Sequence, residues 1–177
     1  MQRFSRLFLF ASVFMAASAA AQVPAAAPAP CATPAHRQFD FWVGEWEVSK
    51  PDGTPAGRSR IERILEACVI SENWTGATGF AGRSFNLYNA ASDRWEQFWV
   101  DQSGVRLHLQ GGLQGERMVL AGTRETTDAQ TGPARRERIS WTPNADSSVR
   151  QLWETSKDDG RTWTTSFDGL YRRAPAP

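Results

Sequence analysis

The sequence predicts an all-β protein: a closed or nearly closed antiparallel up-and-down barrel of about ten strands, with a short helical turn before the first strand. Turn signals rich in Gly, Pro, Asn and Asp recur at intervals of roughly ten residues after Trp42. The runs between them are rich in Val, Ile, Thr, Phe and Trp, and few of them have helical spacing. A meander of this length avoids exposed sheet edges best by closing on itself.

The start of the chain has the pattern of a secretory signal peptide over residues 1–21. Two arginines open it, an apolar run follows from Leu7 to Ala17, and small residues precede a cleavage site expected between Ala21 and Gln22. The apolar run is too short to span a bilayer. We therefore expect a periplasmic or secreted protein, and an anchor retained at the N-terminus is the alternative.

The remaining chain divides into three parts. Residues 22–35 are mostly Ala and Pro and predict an extended linker, residues 36–173 predict the barrel domain, and residues 174–177 predict a tail. Loss of the two leader arginines changes the formal net charge from +1 to −1. We therefore expect no nucleic-acid partner, and no membrane partner after cleavage. The oligomeric state stays open.

The chain has two cysteines, Cys31 and Cys68. Export to an oxidising compartment predicts a disulfide between them. A redox-active pair is the alternative, but the Cys-x-x-Cys spacing is missing.

We expect one helical turn at His36 to Trp42, followed by ten strands. The strands are predicted at residues 43–49, 57–65, 68–75, 83–90, 94–101, 105–111, 116–124, 135–142, 148–156 and 161–172. The stretch Ser156-x-Asp158-x-Gly160-x-Thr162-Trp163 resembles the Asp-box hairpin of sialidase propellers. It occurs once here, so we expect it to fix a hairpin rather than to mark a propeller blade.

The octet from Phe39 to Trp46 predicts an aromatic plug under one end of the barrel, because its aromatic side chains bury a large area. Within it, Gly44-x-Trp46 resembles the first-strand signature of the lipocalin and calycin barrels. The resemblance implies that Trp46 closes one end of the barrel and stacks on an arginine of the last strand. The candidates are Arg172 and Arg173, and Arg172 is taken as the partner.

Alternation along several strands places aromatic and polar side chains on one face. Such a face suits a barrel lumen, where aromatics form walls and a few polar groups orient a ligand. The predicted ligand-binding residues are Glu72, Trp74, Asn86, Tyr88, Gln97, Trp99, Gln151 and Trp153. In the alternative, this face meets solvent and Phe85, Leu87, Phe98, Val100 and Leu152 point inward.

The sequence gives little support for metal binding, nucleophilic catalysis or a basic binding surface. The histidines, His36 and His108, form no pair with metal-ligand spacing, so we expect no metal and no cofactor. A Gly-x-Ser-x-Gly motif is missing, and we assign no catalytic residue. Residues 135–138 look basic, but nearby acidic residues favour a solvated hairpin.

Six motifs together resemble the exported bacterial family called domain of unknown function 1579, over a match from about Cys31 to Tyr171. The motifs are Phe39-Asp40-Phe41-Trp42-x-Gly44-x-Trp46, Ser84-x-Asn86-x-Tyr88, Trp95-x-Gln97-x-Trp99-Val100-Asp101, Trp141-Thr142-Pro143, Val149-Arg150-Gln151-x-Trp153-Glu154 and Phe167-Asp168-Gly169-x-Tyr171. The resemblance implies a lipocalin-like barrel without a settled activity. The related nitrobindins hold haem through a late histidine, and this chain has no histidine after His108.

Three functional hypotheses follow. The first is an exported, non-catalytic protein that binds a small, partly apolar molecule in the lumen. The second is a hydrolase or isomerase that uses Glu72 or Asp101 as general base. The third is a filled barrel that acts as a protein-interaction module.

Overall fold

Ten antiparallel strands follow one another around a closed barrel in the computed structural model, which describes residues 29–124 and 135–175. The strands are β1 Gly44–Ser49, β2 Pro55–Ile64, β3 Val69–Gly76, β4 Ala81–Asn89, β5 Arg94–Asp101, β6 Arg106–Gln114, β7 Arg117–Arg124, β8 Arg135–Pro143, β9 Val149–Ser156 and β10 Thr164–Arg173. Each strand pairs with its neighbours in sequence, and β1 closes the barrel by pairing with β10. The predicted fold class is confirmed.

Two strand boundaries differ from prediction by three residues. The sixth strand continues to Gln114, because only Gly115 and Glu116 are needed to turn the chain and Gly115 takes a positive φ of 65°. The last strand begins at Thr164 rather than at residue 161. There the carboxylate of Asp158 accepts hydrogen bonds from the backbone N–H (2.8 Å) and the hydroxyl (2.6 Å) of Thr162, which holds the chain in a turn.

The expected helical turn consists of two short 3₁₀ helices, Pro34–Arg37 and Asp40–Trp42, and we call residues 34–42 the plug. Phe39 and Trp42 are fully buried and stack with ring centroids 5.0 Å apart. Trp141 of β8 contacts Phe39 at the same centroid distance. The indole N–H of Trp46 donates to the carbonyl of Trp42 over 2.9 Å, so the plug is joined to the first strand.

A disulfide joins Cys31 to Cys68, as predicted, and links the segment before the plug to the turn between β2 and β3. Arg37 supports the same connection, because its guanidinium donates to the carbonyls of Cys31 (2.9 Å) and Ala67 (2.7 Å). On the chain-entropy account, closing a loop of this length stabilises the fold by about 4 kcal/mol. Disulfides are typical of proteins outside the reducing cytosol.

The predicted signal peptide, its cleavage site and linker residues 22–28 lie outside the described residues. Pro34 and Ala35, expected at the end of the linker, belong to the first 3₁₀ helix. Within the described ranges, no helix has both the length and the apolar character that a bilayer crossing requires.

The arginine that closes the barrel on Trp46 is Arg173, not Arg172. The Arg173 guanidinium carbon lies 3.9 Å from the centroid of the Trp46 ring, and Nη1 donates to the carbonyl of Val43 over 2.6 Å. Side chains alternate along β10, and Tyr171 points into the barrel. Arg172 therefore points outward, opposite Glu47 of β1, and Arg173 returns to the side of Trp46.

The interior differs between the two halves of the barrel. The half next to the plug is packed with large apolar side chains, all of them buried. They are Phe39, Trp42, Trp46, Ile70, Trp95, Met118, Trp141 and Val149. The other half contains polar and aromatic side chains around an open space, which is the candidate site.

Candidate ligand-binding site

A cavity of about 390 Å³ occupies the half of the barrel away from the plug. Its position follows from the strand ends: Phe80 lies in the turn between β3 and β4, Arg124 ends β7 and Arg135 begins β8, all at the end opposite the plug. The lining residues are Glu72, Trp74, Phe80, Gln97, Trp99, Arg124, Arg135, Ile139, Gln151, Trp153, Thr155, Ser166, Phe167 and Tyr171. Together they form aromatic walls, a polar floor and a charged mouth.

The aromatic walls are built from Trp74, Trp99 and Trp153, with Phe80 and Phe167 beside them. Trp74 and Phe167 meet edge to face with ring centroids 5.7 Å apart. The indole N–H of Trp99 donates to the Asp101 carboxylate over 3.2 Å, which fixes the ring along the wall.

The floor contains the carboxyl group of Glu72, which is 3% exposed. Its two oxygens accept hydrogen bonds from the hydroxyls of Ser59 (3.1 Å) and Ser84 (2.9 Å). Burial raises the pKa of Glu72 to about 7, although both serine hydrogen bonds and the charge of Arg83 act in the opposite direction. Near neutral pH this carboxyl is therefore divided between its neutral and charged forms.

Three further polar side chains complete the floor. The buried hydroxyl of Tyr171 donates to Oε1 of Gln151. Burial and the nearby charge of Glu72 raise the pKa of Tyr171 well above its ordinary value, so the hydroxyl keeps its proton. Gln97 is 2% exposed, and its Oε1 has no hydrogen-bond partner in the described part of the chain. A buried acceptor without a donor is costly, and a ligand that supplies an N–H or O–H would relieve that cost.

The mouth carries charge from β7 and β8. Arg124 and Arg135 lie directly opposite each other in the register of these strands. Two residues further along β8, Glu137 is fully buried, and its Oε1 lies 2.9 Å from Nε of Arg124. Its Oε2 accepts a 2.6 Å hydrogen bond from the indole N–H of Trp153. Burial raises the pKa of Glu137, while the Trp153 hydrogen bond and the charges of Arg124 and Arg135 act against that shift.

Six of the eight predicted ligand-binding residues line the cavity: Glu72, Trp74, Gln97, Trp99, Gln151 and Trp153. The alternative hypothesis requires Phe85, Phe98 and Val100 to point inward, but these side chains are exposed on the outside of the barrel. The alternation therefore places the polar and aromatic face inside.

Asn86 and Tyr88 share that face but do not reach the cavity. Asn86 is buried below the floor, where its amide donates to the carbonyl of Ile70 (3.1 Å) and the hydroxyl of Ser84 (3.0 Å). Tyr88 lies nearer the plug, in edge contact with His36, and its hydroxyl donates to Asp93. Both residues are too far along the barrel toward the plug to contact a ligand in the cavity.

Asp101 does not face the cavity as the general-base hypothesis requires. Its carboxylate accepts hydrogen bonds from the backbone N–H (2.9 Å) and hydroxyl (2.5 Å) of Ser103 and from the N–H of Val105 (3.3 Å). These contacts fix the turn between β5 and β6. Asp101 is therefore a structural residue.

Sequence reasoning missed the charged mouth. The residue types at 135–138 predict a solvated hairpin, yet Arg135 and Glu137 face the lumen. Arg138 faces outward, where it forms an ion pair with Glu154 (2.8 Å) and lies over Trp163. The signal was present in the alternation, since residues 135 and 137 have the same phase as the buried Ile139.

The histidines also have local roles. His36 contacts Thr33 within the segment that leads into the plug. His108 lies on the outer face, where it contacts Glu96 over 2.8 Å and stacks on Phe98. No group of three or more side chains in residues 29–124 and 135–175 has the arrangement of a metal site.

No model of a known protein family matches the chain, and a search of curated proteins found no match. The resemblance to domain of unknown function 1579 therefore stays a prediction.

Proposed function

We propose that the protein is an exported, non-catalytic binding protein that holds one small, partly apolar molecule in the barrel cavity. The volume of about 390 Å³ lies within the roughly 300–1,000 Å³ that is usual for small-molecule sites. The observation that carries the proposal is that Trp74, Trp99 and Trp153 border an unfilled space inside a closed barrel. A ligand that packs on these indoles would gain the dispersion contacts that the empty space denies them.

The polar floor adds orientation to this apolar contact. Glu72, Gln97 and Gln151 converge on the inner end of the cavity, while most of the wall is aromatic. A few placed polar groups in an apolar pocket are typical of sites that bind one ligand orientation. A barrel filled by its own side chains would leave no cavity of this size, so the cavity argues against the interaction-module hypothesis.

Two features support export. The disulfide between Cys31 and Cys68 would persist in an oxidising compartment. The sequence pattern of residues 1–21 is typical of a cleaved secretory leader. The periplasm or the extracellular space is therefore the proposed location.

A second candidate function is a hydrolase or isomerase with Glu72 as general base. The supporting observation is that Glu72 lines the cavity and has a pKa of about 7, near the pH at which a general base works best. Turnover of a bound substrate that disappears in Glu72→Gln, while binding persists, would favour this function over simple binding.

Tryptophan fluorescence tests the binding proposal directly. We expect uncharged aromatic and alicyclic probes to quench the emission of the full exported chain, and we expect Trp99→Ala to reduce that quenching while the protein stays folded. Trp163→Ala is the matched control, because Trp163 lies outside the cavity and contacts Arg138. Equal quenching in wild type and Trp99→Ala, or no quenching by any probe, would count against a ligand in this cavity.

Native mass spectrometry of protein purified from its own host gives an independent test. A small molecule that remains bound under native conditions and is released on unfolding would identify the ligand class.

A further inference from the structure

Among the residues that the structure describes, those at the mouth of the cavity carry more positive than negative charge. Arg124 and Arg135 line the mouth, and Glu137 is the one carboxylate among the described residues that lies close to them. Glu72 lies deeper, on the floor, with neutral serine partners. Within residues 29–124 and 135–175, two guanidinium groups therefore share one nearby carboxylate.

The existing ion pair leaves these guanidinium groups incompletely satisfied. Nε of Arg124 and Oε1 of Glu137 are 2.9 Å apart, but the two atoms are not aligned for a hydrogen bond. Nε of Arg135 is also buried, and it has no hydrogen-bond partner within residues 29–124 and 135–175. Buried donors without acceptors cost free energy, and the cost is greater for charged groups.

The two guanidinium groups also have positions that suit a carboxylate ligand. Arg124 and Arg135 face each other across neighbouring strands, where like charges repel. A guanidinium presents several N–H donors in one plane, a geometry that matches the two oxygens of a carboxylate. Trp153 lies beside them, with its ring centroid 5.7 Å from the Arg124 guanidinium carbon. Two cationic groups that suit a carboxylate therefore adjoin an aromatic surface at the mouth.

From this arrangement, we propose that the ligand is a small organic acid, whose carboxylate binds Arg124 and Arg135 at the mouth and whose apolar body packs on Trp74, Trp99 and Trp153. The inference rests on the proposed binding function and specifies the ligand class for the same cavity. The Glu137 carboxylate competes with the ligand carboxylate, because it already lies 2.9 Å from the Arg124 guanidinium and neutralises part of the positive charge there.

A cationic ligand is the main competing class. Tryptophan rings attract cations, and Glu72 lies on the floor. A cation would, however, have to pass two guanidinium groups at the mouth. It would also meet a floor carboxyl that is partly neutral near pH 7, since burial raises the pKa of Glu72 to about 7. The mouth charges therefore favour the anion.

Three probes with one ring system separate these classes: naphthoate, naphthamide and naphthylmethylammonium. Each dissociation constant would be measured by calorimetry or tryptophan quenching with the full exported chain. We expect naphthoate to bind about tenfold or more tightly than naphthamide, because a carboxylate gains charge-assisted hydrogen bonds that an amide lacks. We expect the ammonium probe to bind most weakly.

Two variants and one control examine the mouth itself. Arg135→Gln should bring naphthoate affinity close to naphthamide affinity, whereas Arg136→Gln should leave it unchanged, because Arg136 faces outward and pairs with Asp159. Glu137→Gln should tighten naphthoate binding by several-fold, because the competing charge is removed while Oε1 of the new side chain can still accept from Trp153. Circular dichroism would check that each variant is folded.

The outcomes distinguish this inference from the binding function. Equal affinities for naphthoate and naphthamide, or tightest binding of the ammonium probe, would overturn the organic-acid inference and leave the binding function in place. Weaker naphthoate binding in Glu137→Gln would overturn it too, even if Arg135→Gln failed to fold. Failure of all three probes to bind would count against both proposals.

Discussion

The Trp99 indole lies directly over Gly82 of the neighbouring strand. A Cβ atom at residue 82 would be 2.2 Å from both Cζ2 and Cη2 of the ring, far closer than atoms can approach. The backbone at Gly82 does not take a positive φ, so space rather than conformation requires glycine here. The missing side chain lets the indole lie against the wall and leaves the cavity open.

Gly82→Ala should therefore close part of the cavity. The new methyl group would move the far edge of the Trp99 ring into the lumen, and the hydrogen bond from the ring to Asp101 (3.2 Å) would be lost. We expect at least a several-fold loss of probe affinity and a loss of stability of about 1–3 kcal/mol, which is typical of an overpacked interior. Titration with an uncharged aromatic probe and urea unfolding measure the two effects.

Gly112→Ala is the matched control for that prediction. Gly112 lies in β6, and a Cβ atom added there would meet no atom within 4 Å. We expect unchanged affinity and a stability change within about 0.5 kcal/mol. Equal effects of the two substitutions would show that the Trp99 contact does not control the cavity.

A second prediction concerns the closure of the barrel at Arg173. Arg173→Ala removes the cation–π contact with Trp46 and the hydrogen bond to the carbonyl of Val43. We expect the free energy of unfolding to fall by about 1–3 kcal/mol, since each of these two interactions contributes roughly 0.5–1.5 kcal/mol. Guanidinium unfolding of wild type and variant gives the difference.

Arg172→Ala tests whether the effect belongs to the stacking position rather than to loss of charge. Arg172 faces outward, and we expect its removal to change stability by less than about 0.5 kcal/mol. A larger loss for Arg172→Ala than for Arg173→Ala would contradict the assignment of the closing residue.

The features that could be predicted from sequence are those that depend on local periodicity. Turn residues fixed the number of strands, and alternation placed Trp74, Trp99 and Trp153 together on the inner face. The aromatic plug could be predicted from the large apolar area that its aromatic side chains bury. These properties need no information about distant parts of the chain.

The features that could not be predicted depend on position along the barrel axis. Gln97 and Tyr88 both lie on the inner face, but Gln97 lines the cavity. Tyr88 lies at the plug end of β4, where it contacts His36. The choice between Arg172 and Arg173 depends on the phase of β10, which includes a register shift between Thr165 and Phe167. One residue of shift moves a side chain to the other face.

The charged mouth was missed for a related reason. Arg135 and Glu137 have the residue types of a solvated hairpin, and such residues usually face water. They face the lumen because the closed barrel leaves an open space on that side at the end opposite the plug. Only the long-range pairing of strands determines where that space lies.

The last prediction is a pH dependence of stability that arises from Glu72. Its pKa is about 7 in the folded protein against a reference value of 4.5, because burial disfavours the charged form. The folded state therefore binds more protons than the unfolded state between these pH values, so stability falls as pH rises through this range. The stabilisation that comes from keeping Glu72 protonated in the folded state is fully present below pH 4.5 and is lost above about pH 7.

Glu72→Gln should remove this dependence, because glutamine stays neutral, and its amide can accept from one of the two serine hydroxyls and donate to the other. Relative to wild type, we expect the variant to gain up to about 3 kcal/mol at pH 8 and to gain little at pH 4, since each pKa unit corresponds to about 1.4 kcal/mol. Urea unfolding at several pH values measures the difference between the two proteins.

Asp158→Asn provides a comparison of opposite sign. Hydrogen bonds from Thr162 and Ser156 lower the pKa of Asp158 to about 2, so its contribution to stability is present above pH 4 and is lost as pH falls through 2. We therefore expect Asp158→Asn to be less stable than wild type at neutral pH, whereas Glu72→Gln is more stable there. A Glu72→Gln variant that loses stability at pH 8 would mean that the charged carboxylate is stabilised in the cavity, and the account of its burial would have to be abandoned.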